Sequence, residues 1–205
     1  MTLLGLDFDN TIVQYDMLFY RIAIDRGLIR KSLPANKNVI RDYLRKNMME
    51  DEFTRMQGEV YGPMSTYAEP SDGMLKTLKE LKAAGIKLCI ISHKTRFPYM
   101  GEKYDLHLAA LKWLEKHGFL DTIGLGMQRS DIYFEKTKYD KAKRVEHTGC
   151  DYYIDDLPEV LSLIEGKTKK LLYDPKDRED VSGNTGITKI TEWGEALEII
   201  LGQQK

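Results

Sequence analysis

A chain of 205 residues with 42% apolar content can bury one substantial core together with an insertion or small second domain, which sets disorder aside as its overall description. Its 31 Lys and Arg against 32 Asp and Glu leave a formal net charge of -1, so no global field favours nucleic acid or an acidic membrane, and a charged ligand must be met locally. Cys89 and Cys150 both lie beside apolar runs, where free cysteines act as small hydrophobes, and two such thiols fit a reducing compartment. No stretch reaches the length of a membrane span, and the start lacks a basic region followed by a long apolar one, so a soluble cytoplasmic protein is expected.

In chain order, Leu3-Leu4-Gly5-Leu6 suits a strand buried on both faces of a parallel sheet. It runs into Asp7-Phe8-Asp9-Asn10-Thr11, which puts two carboxylates at a strand's carboxyl end, where open α/β sheets collect their chemistry. From Asp16 to about Tyr61 the apolar residues recur at helical spacing: Leu18/Phe19 and Ile22/Ala23; Val39/Ile40, Tyr43/Leu44 and Met48; Phe53, Met56 and Val60. Three helices without an intervening strand, broken at Gly27, Pro34 and Gly62-Pro63, predict an inserted helical cap whose own core uses Tyr20, Tyr43, Phe53 and nearby methionines. A helix after Pro70-Ser71-Asp72-Gly73, a strand over 86–91 and then Ser92-His93-Lys94-Thr95 follow. The segment from Arg96 to Tyr104 reads as a loop, and Asp105 as the cap of a helix ended by Gly118. Ile123 and Leu125 suggest a short strand, as do Ile132-Tyr133-Phe134; a helix is expected from Lys138 to Thr148, then a strand Tyr152-Tyr153-Ile154 before Asp155-Asp156. Pro158 opens another helix at its first position. Strands at 171–173 and 187–190, a polar loop from Asp174 to about Thr185 between them, and a final helix through Trp193 complete the alternation.

Strand–helix alternation of this kind predicts an α/β fold: a Rossmann-like, mostly parallel sheet flanked by helices. The core is assigned to residues 1–15 and 68–205 and the helical cap to 16–67. On that reading Asp7/Asp9, Ser92, a lysine near the start of the Lys138 helix and Asp155/Asp156 converge on one edge. Carboxylates suit a divalent cation, and an ammonium and a hydroxyl suit phosphate oxygens. Lys136, Lys138 and Lys141 are all near enough; Lys138, at the predicted helix start, is favoured. His93, Lys94 and Arg96 could reach a substrate or form an exposed basic loop.

Taken together, Asp7-Phe8-Asp9-Asn10-Thr11, Ile90-Ile91-Ser92, Lys138 and Ile154-Asp155-Asp156 resemble, in order and in strand context, the four motifs of the haloacid dehalogenase-like superfamily of phosphohydrolases. The resemblance covers most of the chain and points to an uncharacterised branch. It implies that Asp7 is a nucleophile forming an aspartyl-phosphate and that Asp9 is the acid and then the base. It also implies Mg2+ held by Asp7, the backbone carbonyl of Asp9 and Asp155, with Asp156 nearby, and phosphate met by Ser92 and Lys138. Thr11 and His93 join them as phosphate-binding candidates. The dehalogenating members lack the second aspartate, so Asp9 matches the phosphatase pattern. The expected activity is a magnesium-dependent phosphatase acting on a small phosphorylated substrate, with neither nucleic acid nor membrane as partner. Alternatives of the same fold are a phosphomutase-type transferase and a phosphate- or metal-binding module without turnover; a receiver-type signalling domain fits the late Asp155-Asp156 and the long insertion poorly. The substrate, the specificity residues of the cap and the oligomeric state have no signature in the sequence.

Overall fold

The structure, a computed structural model, describes residues 1–181, 183 and 186–202. Its strands are β1 (Leu3–Leu6), β2 (Val13–Gln14), β3 (Glu69–Pro70), β4 (Lys87–His93), β5 (Ile132–Glu135), β6 (Tyr152–Asp155), β7 (Lys169–Tyr173) and β8 (Ile187–Ile190). Its α-helices are α1 (Asp16–Asp25), α2 (Lys37–Lys46), α3 (Glu50–Tyr61), α4 (Met74–Ala83), α5 (Leu106–Lys116), α6 (Lys138–Thr148), α7 (Pro158–Leu163) and α8 (Trp193–Gly202). The expected polar loop after β7 contains residues 182, 184 and 185, which lie outside the described residues. Among the described residues no helix is long and apolar enough to cross a membrane.

The chain divides into two compact units. The first, Met1–Val13, Pro70–Lys94 and Gly118–Lys205, holds a six-stranded parallel sheet in the order β5-β4-β1-β6-β7-β8. From β1 the chain adds β4 and β5 on one side, then returns to place β6, β7 and β8 on the other. The sheet therefore reverses between β1 and β6, where Leu6 pairs with Ile154, and such a reversal opens a crevice at the carboxyl ends of the two strands. Leu4, Leu6, Ile90, Ile91, Tyr153 and Ile154 are fully buried, as expected of strands covered on both faces. Gly5 is required by close approach: a Cβ there would stand 2.8 Å from both Cys150 Sγ and Tyr153 Cδ2, closer than atoms can pack. Helix α6 starts because Thr137 caps it, accepting from Asp140 N at 3.0 Å, and stops at Gly149 in the left-handed region, φ 70°.

The second unit comprises Gln14–Glu69 and Thr95–His117. It is larger than the 16–67 insertion expected from sequence, because α5 and the loop before it pack with the inserted helices; Trp113 Nε1, for example, donates to Ala68 O at 2.8 Å. Phe19 stacks on Phe53 with centroids 5.7 Å apart, and Tyr61 meets Phe19 edge-on. Phe53 and Met56 are buried as expected, but Met48 is not part of this core: it follows α2 with φ 60° and its side chain is in solvent. The strand expected around Ile123 and Leu125 is a turn, with Ile123 exposed and its N–H held by Asp121 Oδ1 at 3.0 Å. Two glycines beside it deprive that segment of the side chains a strand would pack.

Candidate active site

The crevice between β1 and β6 receives side chains from four segments of the first unit. Asp7 is the first residue beyond β1, and its N–H continues the ladder to Ile154 O at 2.9 Å, which fixes where its carboxylate emerges. The chain then turns through Asn10, whose φ of 62° is one of the few left-handed values that a non-glycine residue accepts at modest cost. That turn returns Thr11 to Asp7, so the Thr11 hydroxyl donates to Asp7 Oδ2 at 3.3 Å.

Asp155 ends β6 and is completely buried, while Asp7 is 3% exposed. Lys141 from α6 stands between them, with Nζ 2.6 Å from Asp7 Oδ1 and 2.7 Å from Asp155 Oδ2. Asp155 Oδ1 accepts the N–H of Leu157 at 3.0 Å, which starts α7. Its Oδ2, close to the ammonium but outside hydrogen-bond geometry, has no hydrogen-bond partner among the described residues. Burial disfavours the Lys141 ammonium, yet Asp155 and Asp7 together outweigh it and hold the pKa above the ordinary lysine range. Burial also pushes the Asp155 carboxyl up to about 6, with Lys141 pulling down and Asp7 pushing further up.

Asp7, Asp155 and Asp156 each bring a carboxylate oxygen within 4.8 Å of the others. Asp7 and Asp155 are two buried carboxylates sharing one ammonium, with half-buried Asp156 beside them, and hard oxygen donors in that arrangement could hold a divalent cation. Asp9 is not in this group as a side chain. Both its oxygens accept from Lys94 Nζ, at 3.0 and 2.7 Å.

Ser92, the penultimate residue of strand β4, is 1% exposed, and its hydroxyl has no hydrogen-bond partner among the described residues. A buried hydroxyl without a partner is costly, and an acceptor arriving from outside would satisfy it. His93 follows it in the strand, where successive side chains point to opposite faces, and its Nε2 lies 2.9 Å from Lys136 O. The structure therefore does not bring His93 to the cluster, contrary to expectation.

The lysine expected at the site was Lys138, and the structure corrects this. Lys138 is the first residue of α6; it pairs with Glu159 at the surface, while Lys141 is buried one turn further on. Helical side chains lean toward the helix N-terminus, so a residue about one turn below the strand edge reaches up to it, whereas one at the edge reaches past it. Lys141, Ala142 and Val145 share the buried face of α6, and a lysine flanked by such apolar neighbours was the available signal. Sequence reasoning missed Lys94 as a buried residue, since a basic loop after a strand usually faces solvent.

No protein-family model and no curated protein matches the sequence. Solved structures do. A HAD family hydrolase from Deinococcus radiodurans R1 with bound phosphate and sodium is 15% identical with a TM-score of 0.59, covering 100% of this chain and 96% of that one. The fold is that of the haloacid dehalogenase-like superfamily. An L-2-haloacid dehalogenase, RSc1362, shares the HAD-like fold at 8% identity and TM-score 0.57, covering 98% of this chain and 99% of the other. So does a phosphoserine phosphohydrolase-like protein from Francisella tularensis subsp. tularensis SCHU S4, at 16% and 0.52, covering 98% and 100%. A dehalogenase and a phosphohydrolase-like protein both share this fold, so the HAD-like fold does not choose the reaction; the side chains must.

Proposed function

We propose that this protein is a magnesium-dependent phosphatase of small phosphorylated metabolites, working through an aspartyl-phosphate on Asp7. The observation that carries this reading is the buried Ser92 hydroxyl on the strand next to Asp7, without a partner among the described residues, with Lys141 fixed against the nucleophile. Asp7 would attack phosphorus through a carboxylate oxygen while the bond to the leaving oxygen breaks, and Asp9 would give that oxygen its proton. In the second half Asp9 would take a proton from water as the water oxygen attacks phosphorus and Asp7 is released. Ser92 would donate to a phosphoryl oxygen and Lys141 would oppose its charge, where most of the stabilisation in phosphoryl transfer is made. Thr11, through its bond to Asp7 Oδ2, would fix the orientation of the attacking carboxylate. Asp7, Asp155 and Asp156 would hold the Mg2+ ion, which when bound supplies positive charge against the phosphoryl oxygens and the nucleophile.

Asp9 favours a phosphate ester over a haloacid as substrate, because a leaving alkoxide needs a proton and a leaving halide does not. The phosphate in the Deinococcus radiodurans hydrolase supports the same choice by analogy of fold. A panel of sugar phosphates, nucleotides and phosphorylated acids, assayed for phosphate release with and without Mg2+, tests the reading. Release from at least one compound, dependent on Mg2+ and lost by about 1000-fold or more in Asp7→Asn, is expected. Release that persists unchanged in Asp7→Asn would overturn it.

A further inference from the structure

Two lysines serve the aspartates of this edge. Lys141 stands between Asp7 and Asp155, whereas Lys94 spends its ammonium on both oxygens of Asp9. Lys94 is buried, with 3% of its side chain exposed against 21% for Asp9. Its position is set by the backbone, Lys94 N donating to Glu135 O at 3.0 Å, and its ammonium lies 5.3 Å from the centre of the Phe8 ring. A cation buried to this degree costs desolvation free energy, and a two-point hydrogen bond fixes both the place and the plane of the carboxylate it grips. Asp9 meanwhile keeps an open side, since it is the more exposed partner.

We propose that Lys94 is a positioning residue for Asp9: it holds the carboxyl group in the orientation from which the leaving oxygen receives its proton. This rests on the phosphatase reading above. As the bond from Asp7 to phosphorus forms, the bond from phosphorus to the leaving oxygen breaks and its electron pair stays on that oxygen. An aliphatic alkoxide needs the Asp9 proton at that moment, and the carboxylate left on Asp9 is the form that Lys94 grips. A nitrophenolate carries the electron pair without a proton. Lys94 is therefore a residue on which esters of aliphatic alcohols depend and activated aryl esters depend far less.

The test compares kcat/KM for β-glycerophosphate and p-nitrophenyl phosphate in the wild type, Lys94→Met, Lys94→Gln and Lys94→Arg, since kcat/KM covers the steps up to the first irreversible one. Lys94→Met should lose about 100-fold on β-glycerophosphate and at least tenfold less than that on p-nitrophenyl phosphate. Lys94→Arg, which keeps the charge and can still grip both oxygens, should recover part of the first loss. The ratio of the two substrates is measured within one preparation, so an unfolded fraction cancels, and Lys94→Gln supplies a second neutral variant should Lys94→Met not fold. Equal losses on both substrates, or none on either, in a protein whose wild type is active would overturn the role of Lys94 alone. A wild type releasing phosphate from neither ester nor any member of the wider panel would overturn the phosphatase reading and this inference with it.

Discussion

The two edges of the parallel sheet differ in a way that separates space from chemistry. At the amino edge lies a cavity of about 820 Å³, lined by Leu3, Lys87, Cys89, Met127, Gln128 and Arg144 among others. Its cations are already spent or solvated: Arg144 bonds Glu135 Oε1 at 2.7 Å, and Lys87 is exposed. The carboxyl edge gathers Asp7, Asp155, Lys141 and Ser92, all buried, with charges that balance poorly and a hydroxyl lacking a partner among the described residues. Folding alone gives no reason to tolerate that set, whereas a ligand does.

The largest expected effect sharpens this contrast within one helix. Lys141→Met leaves Asp7 and Asp155 buried without their cation, which should cost about 3–5 kcal/mol of stability in chelator, read from urea unfolding. Phosphate release in Mg2+ should fall by about 100- to 1000-fold in the protein that remains folded, as when one preorganised donor is removed from a charged transition state. Lys138→Met, one turn away and paired with Glu159 at the surface, should change both by little. The reverse ranking would return the phosphate-facing role to Lys138.

The same helix shows what could be read in advance. The alternation of strands and helices, the insertion after β2 and the cluster at the strand ends were legible, because each follows from periodicity and from the acidic pairs Asp7/Asp9 and Asp155/Asp156. Which lysine entered the site was not. Lys138 and Lys141 differ by three residues, about 4.5 Å of helix rise, and only the height of the helix against the strand ends decides between them. Lys94 was hidden for a related reason: its sequence neighbours His93 and Arg96 are polar, and its burial arises from Asp9 and Phe8, more than eighty residues away in sequence. The assignment of α5 to the helical unit likewise depends on packing that no local pattern encodes, such as the Trp113 bond to Ala68.

Next in size is a dependence on pH. In the native protein without metal, Asp155 titrates near 6, above its ordinary value of 3.8, so the fold favours its protonated form. The stability this contributes is fully present below the unfolded value near 3.8 and is lost as pH rises through 6. With chelator, the difference in stability between wild type and Asp155→Asn should therefore shift between pH 4 and 7, the wild type losing ground at the upper end. Mg2+ should oppose that loss, because an ion bound by the ionised carboxylate stabilises the native state at neutral pH. A difference independent of pH, with or without Mg2+, would mean that the excess charge at this edge is already compensated and that no cation is required there.

The smallest effect belongs to the amino edge and decides the comparison from the other side. Lys87 begins β4 as Ser92 nears its end, so both belong to one strand, yet Lys87 lines the large cavity and Ser92 the crevice. Its ladder contact is made by the backbone, Lys87 N donating to Thr2 O at 2.9 Å, and survives truncation of the side chain. Lys87→Ala should therefore keep stability within about 0.5 kcal/mol and leave phosphate release unaltered, as expected of an exposed side chain away from any buried network. Five residues of extended strand, about 16 Å, separate it from Ser92, beyond the Debye length of about 8 Å at physiological salt, so its charge is screened from the crevice. A marked loss of phosphate release in Lys87→Ala, with stability intact, would show that the amino-edge cavity takes part in the reaction and that the division between the two edges does not hold.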